Sequence, residues 1–183
     1  RDFAFCKLRY RSVRREELGM GWVTDYPYAG INLMIRFSEL TTAQVSRDSR
    51  DEPNHWVVEL TDKELFNCPF IMAADVGTIG LSGDEVTQLR NYLLKGGFLI
   101  FDDFHDEHWF NLEAQMRKVF PDLRWIELDA THPVYHSFFD IDSLAYDCVY
   151  CPSIPIFFGL FEDSDPNGRL LSVANHNNDI GDT

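Results

Sequence analysis

Apolar residues along this chain alternate between two rhythms. Runs rich in apolar and aromatic residues recur at 3–10, 56–60, 70–74 and 98–101, and each reads as a strand. The runs at 70–74 and 98–101 have no polar face, which predicts strands covered on both sides. Between them, apolar positions return at helical spacing: Leu33, Met34, Phe37 and Leu40, then Val86, Leu89 and Leu93, then Trp109, Leu112, Met116 and Val119. Boundary signals agree. Asp25-Tyr-Pro27 forms a helix entry, with Arg36 falling off the apolar stripe that follows. Ser82 and Glu85 have capping-box spacing, Gly96 and Gly97 supply a helix stop, and Pro121 closes the third helix. Thr61 to Phe66 has room for a single helical turn, and 124–128 is a further strand. Residues 156–161 and 170–174 flank Asp163-Ser-Asp-Pro-Asn-Gly168, a turn signal that predicts a hairpin. Residues 41–54 and 131–155 read as irregular connections. The alternation predicts an α/β fold: a mostly parallel sheet with helices on both faces and a C-terminal β-hairpin.

Composition narrows the functional classes. At 183 residues the expectation is one domain over 1–183. A formal charge of −14 argues against a nucleic-acid binder, which needs a basic surface, and against docking on an anionic membrane. No apolar run approaches the length of a membrane span. The four cysteines, Cys6, Cys68, Cys148 and Cys151, are too few for a disulfide scaffold. Cys148 and Cys151 have half a zinc-site spacing with no second pair. The expectation is structural cysteines, or one local disulfide if the protein is exported.

The strongest chemical signal is the stretch Gly96-Gly-Phe-Leu-Ile-Phe-Asp-Asp-Phe-His105. A glycine turn launches a buried strand whose exit carries Asp102, Asp103 and His105. In open α/β sheets ligands bind beyond the carboxyl ends of the strands, and carboxylates and imidazole there serve as acid, base or ligand. The structural alternative is that Asp102 or Asp103 caps a helix or binds loop amides. His132 and His136 form a second cluster, and folding of their loop over the strand ends would bring His132 to Asp103. Asp25, Tyr26 and Arg36 stand at the first helix, where an arginine near a crevice grips a carboxylate or phosphate. Asn178 and Asp179 lie in a polar tail that could line the same pocket. No phosphate-binding glycine loop, G-x-S-x-G elbow or H-E-x-x-H helix is present.

Trp22-Val-Thr-Asp-Tyr-Pro27, Asn32-Leu33, Leu65-Phe-Asn-Cys-Pro-Phe70, Leu89-Arg-Asn-Tyr-Leu93, the 96–105 segment, His132-Pro133 and Asn178-Asp-Ile-Gly181 together resemble the bacterial domain-of-unknown-function family 4159. The resemblance implies a flavodoxin-like three-layer sandwich of the class I glutamine amidotransferase-like kind. It also implies a natural chain that continues past Thr183, and an exported or periplasmic location, with a cytoplasmic one as the alternative. In such a fold the nucleophilic cysteine would stand at Asp102-Asp103-Phe104, where this chain has none, and a carboxylate cannot replace a thiolate in that covalent route.

The expectation is therefore a non-catalytic module that binds a small polar ligand, a glycan or a protein partner, aided by the aromatic stretch from Tyr135 to Tyr150. Its ligand-binding residues would be Asp25, Tyr26, Arg36, Asp102, His136, Asn178 and Asp179. The alternative is a hydrolase, metal-assisted in one form, with Asp103, His105 and His132 as its catalytic group. No metal site or cofactor is assigned.

Overall fold

A computed structural model of the chain describes residues 2–15, 19–144 and 153–181; Cys148 and Cys151 lie outside the described residues. Among these described residues nine strands and three α-helices follow in order: β1 (Phe5–Leu8), β2 (Arg11–Ser12), α1 (Tyr28–Leu40), β3 (His55–Val58), β4 (Phe70–Ala74), β5 (Ile79–Gly80), α2 (Gly83–Leu94), β6 (Phe98–Phe104), α3 (His108–Val119), β7 (Trp125–Glu127), β8 (Ile156–Phe161) and β9 (Leu170–His176). The predicted turn at Thr61 to Phe66 is a 3-10 segment, Lys63–Asn67.

Seven strands form the central sheet in the order β3-β1-β4-β6-β9-β8-β7. β3, β1, β4, β6 and β9 run parallel, while β8 returns antiparallel to β9 as the predicted hairpin and β7 pairs antiparallel to β8. Counting the parallel strands alone, their order is the flavodoxin-like 2-1-3-4-5. From β1 the chain winds outward in both directions. The carboxyl ends of β1 and β4 therefore flank the point where a crevice opens.

Alternation along the strands separates two cores. Cys6, Leu8, Ile71, Ala73, Leu99 and Phe101 face α2 and α3, which contribute Leu89, Tyr92, Leu93, Leu112, Met116 and Val119. Phe5 and Met72 face α1 and bury Met34. The result is a three-layer α/β sandwich. Contrary to the stripe expected from apolar spacing, Leu33 and Leu40 are exposed, and the inward stripe of α1 is Gly30, Met34 and the partly buried Phe37. Gly30 sits so close to the Phe5 ring that a Cβ would stand 2.7 Å from it. The helix therefore leans on β1 through a glycine, which an apolar-periodicity count passes over.

The β6 segment forms as predicted. Ser82 accepts from the Glu85 N–H and Glu85 reciprocates, so a capping box starts α2. Gly96 adopts φ +103° after its end. Gly97 is required by packing instead: a Cβ there would lie 2.4 Å from the ring of Tyr92, whose hydroxyl donates to the Cys68 carbonyl at 2.8 Å. Gly97→Ala is expected to destabilise the protein by about 1–3 kcal/mol through overpacking, read as a lower denaturant midpoint at unchanged slope.

A disulfide joins Cys6 in β1 to Cys68 ahead of β4. It is long-range; the local disulfide raised as the exported alternative falls on Cys148 and Cys151, outside the described residues. The two cysteines meet because β1 and β4 are neighbours in the sheet, a topology that spacing does not reveal.

Candidate functional site

Four strand exits deliver side chains to one crevice. Lys7 lies in β1 with its side chain on the α1 face, level with Met72, and is almost fully buried. Its ammonium donates to the Thr24 carbonyl at 2.7 Å. Asp75 follows β4 directly, Asp102 and Asp103 end β6, and Asp179 follows β9. Asp25 arrives from the loop that enters α1, near the positive end of that helix.

Backbone conformation aims these groups. Asp25, Asp75 and Asp103 adopt φ of 60°, 52° and 52°, a left-handed conformation that aspartate tolerates better than most residues. At Asp103 the β6–β9 register shifts between Phe101 and Phe104. This bulge re-aims the side chain at the strand's end. Such backbone strain is concentrated at functional sites, which makes the exit of β6 a reason to look for one.

The two adjacent acids have different duties. Asp102 is fully buried and accepts from Asn175 Nδ2 and from the Ile180 N–H, each at 3.0 Å. It ties the tail after β9 to the strand, the structural alternative raised above. Asp103 uses only its backbone N–H in that lacing, donating to the Asn178 carbonyl at 3.1 Å. One carboxylate oxygen from each of Asp25, Asp103 and Asp179 lies within 4.8 Å of the other two. Gly181 makes the close approach possible: a Cβ there would stand 2.3 Å from Asp25 Oδ2 and 3.2 Å from Asp179 Oδ1.

Electrostatics follow from this crowding. Burial first, then repulsion from Asp179, Asp25, Asp75 and Asp102, pushes Asp103 up to about 8. Burial likewise raises Asp102 to about 7, its two hydrogen bonds only partly offsetting the effect. Burial pulls Lys7 below the ordinary lysine value, while Asp25, Asp102, Asp103 and Asp179 act in the opposite direction. Four aspartates therefore act on one lysine in a partly dry crevice, and Asp75 acts on Asp103 beside it. Close carboxylates cannot all stay ionised without bound protons or a cation.

The remaining sequence candidates scatter. His105 stands beside the cluster, is influenced by Asp179, and is held low by burial and by the neighbouring His108. Its Nε2 is buried without a hydrogen-bond partner. His132 packs against Phe161, which pairs with Leu170 at the start of β9. By register that is six residues before Asp103, about 20 Å along the strand. The proposed meeting of His132 with Asp103 therefore does not occur: the His132 ring lies against the opposite end of β8 and β9. His136 is engaged with Asp140 and the Ala130 carbonyl. Tyr26 packs between Trp22 and His55. Arg36 is an exposed partner of Glu39, in a groove of about 610 Å³ that Gly181 and Ile180 also line. Of the aromatic stretch, Tyr135 rests on Phe157 while Phe138 and Phe139 are exposed, and 145–150 lie outside the described residues.

Sequence reading missed Lys7 and Asp75. Both carried a signal: a lysine inside an aromatic strand, and an acid directly after the all-apolar run Phe70-Ile-Met-Ala-Ala74.

Among the described residues no helix is long and apolar enough to cross a membrane. No curated protein matches the chain. The model of one family, a domain of unknown function, DUF4159, matches residues 4–183, so the chain belongs to the DUF4159 family.

Proposed function

We propose that this domain is a ligand-binding module on an amidotransferase-like fold, and that its crevice receives the positively charged part of a small ligand, a divalent cation in the simplest case. The observation that carries this reading is the convergence of Asp25, Asp103 and Asp179 within 4.8 Å at the carboxyl ends of parallel strands. Oxygen-only donors of this kind suit hard cations such as Mg²⁺, Ca²⁺ or Mn²⁺. Asp103 stands at the strand exit where an amidotransferase would carry its cysteine, which supports binding over covalent transfer. The long-range Cys6–Cys68 disulfide supports an exported or periplasmic location, because such bonds persist in oxidising compartments.

The test is thermal unfolding with Mg²⁺, Ca²⁺ and Mn²⁺ chlorides. A cation at a hundred times its dissociation constant should stabilise the protein by about 2.7 kcal/mol. Asp179→Asn should remove the response, Gly181→Ala should weaken it by displacing Asp25, and His132→Ala should leave it intact. Equal responses in the wild type and Asp179→Asn, or none in the wild type, would contradict the proposal.

A second reading, a metal-assisted hydrolase, is favoured by Asp103 itself. A carboxyl held near neutral pH is suited to general acid–base work, and His105 Nε2 lies close by without a partner. Metal-dependent hydrolysis of ester or phosphoester probes, lost in Asp103→Asn, would favour this reading. Cation binding without turnover would favour the binding module.

A further inference from the structure

On the sheet face opposite the acidic crevice, α3 and the edge strand β7 enclose a groove of about 690 Å³, within the size range of small-molecule sites. Trp109, Trp125 and Phe158 line it together with Arg117, Asp122 and Arg124. The two indoles are 5.7 Å apart with their planes at 62°, forming a corner, and Phe158 lies 4.4 Å from Trp109. Phe101 and Phe104 on the same face are wholly buried, whereas both tryptophans keep part of their surface in water.

The groove's polar groups differ in availability. Arg117 is paired with Glu113 at 2.6 Å. Among the described residues Arg124 and Asp122 form no ion pair, and the only hydrogen bond found at Arg124 is from its backbone N–H to Ser164. An aromatic corner flanked by a free guanidinium and a free carboxylate suits one chemistry well. The C–H faces of a pyranose carry partial positive charge that meets the negative face of an aromatic ring. Its vicinal hydroxyls match the forked donors of arginine and the paired acceptors of a carboxylate.

We infer that this groove binds a pyranose unit of a saccharide, stacked in the Trp109–Trp125 corner and hydrogen-bonded by Arg124 and Asp122. The site is independent of the crevice cation.

The test is titration of the purified protein with cellohexaose, chitohexaose and hexagalacturonate, followed by tryptophan fluorescence and calorimetry. At least one should bind and shift the emission, a response to the neutral or the uronic chain telling which substituent is preferred. Arg124→Ala, an exposed change that leaves the fold intact, should weaken binding about tenfold or more. Trp125→Phe should also weaken binding while preserving the melting response to divalent cations. The inference is overturned if no saccharide binds by about 10 mM, or if binding is undiminished in both variants.

Discussion

Replacing Cys6 and Cys68 together by alanine is expected to lower the melting temperature by about 10 °C. The disulfide spans a sequence separation of 62 residues. Closing a loop of that length in the unfolded chain is worth about 4 kcal/mol in the chain-entropy account. A domain of this size loses about 2–4 °C per kcal/mol. Both cysteines are buried, so reductant added to the folded protein should act only as fast as the protein opens. Unfolding in reductant and refolding with the thiols blocked should reproduce the double variant. Differential scanning calorimetry checks both forms. A change below about 2 °C would mean that the bond joining β1 to the approach of β4 contributes little to stability.

Asp103→Asn is expected to have opposite effects on stability and on binding. In the cation-free protein Asp103 is raised to about 8 and Asp102 to about 7. An acid whose folded value lies above its unfolded one binds more protons folded than unfolded between those two values, so stability falls as pH rises through that window. His105 and His176 are held low and act oppositely below their ordinary value. The clearest range is therefore pH 6.5 to 8. The wild type should melt lower at pH 8 than at pH 6.5. Asp103→Asn should flatten much of that slope and raise the melting temperature at pH 8 by about 2–4 °C, the equivalent of about 1 kcal/mol. The same variant should lose the response to divalent cations. In the wild type, cation affinity should rise with pH over this range, because binding must displace the proton on Asp103. A wild type that is as stable at pH 8 as at pH 6.5, or an Asp103→Asn protein that still binds Mn²⁺ normally, would remove the carboxylate from the account.

The legible part of this molecule was the part encoded locally. Gly96-Gly97, the buried run 98–101 and the acids behind it announced a strand exit, and Ser82 with Glu85 announced the helix before it. The hairpin around Asp163 to Gly168 was equally plain. What stayed hidden depended on which strands become neighbours. Cys6 and Cys68 meet only because β4 packs beside β1, and Lys7 enters the crevice only because β1 stands at the centre of the winding. Asp25, Asp103 and Asp179 were each visible as candidates, but their convergence rests on a bulge, on left-handed backbone at Asp25 and Asp103, and on the absent side chain of Gly181. The reading of His132 failed for a topological reason: the antiparallel return of β8 carries its contact, Phe161, to the far end of the sheet. The short β2–β5 ladder, Arg11 with Gly80 and Ser12 with Ile79, was missed because two-residue strands have no periodicity to detect.

The central proposal is that the carboxylates of Asp25, Asp103 and Asp179 share one cation. Crystals grown with MnCl₂ near pH 8, with diffraction measured for the anomalous signal of manganese, put that question directly. The expected map has one strong peak bounded by Asp25, Asp103 and Asp179, absent in crystals of Asp103→Asn. A map with no peak at that position, or with manganese bound only to surface carboxylates elsewhere, would contradict it.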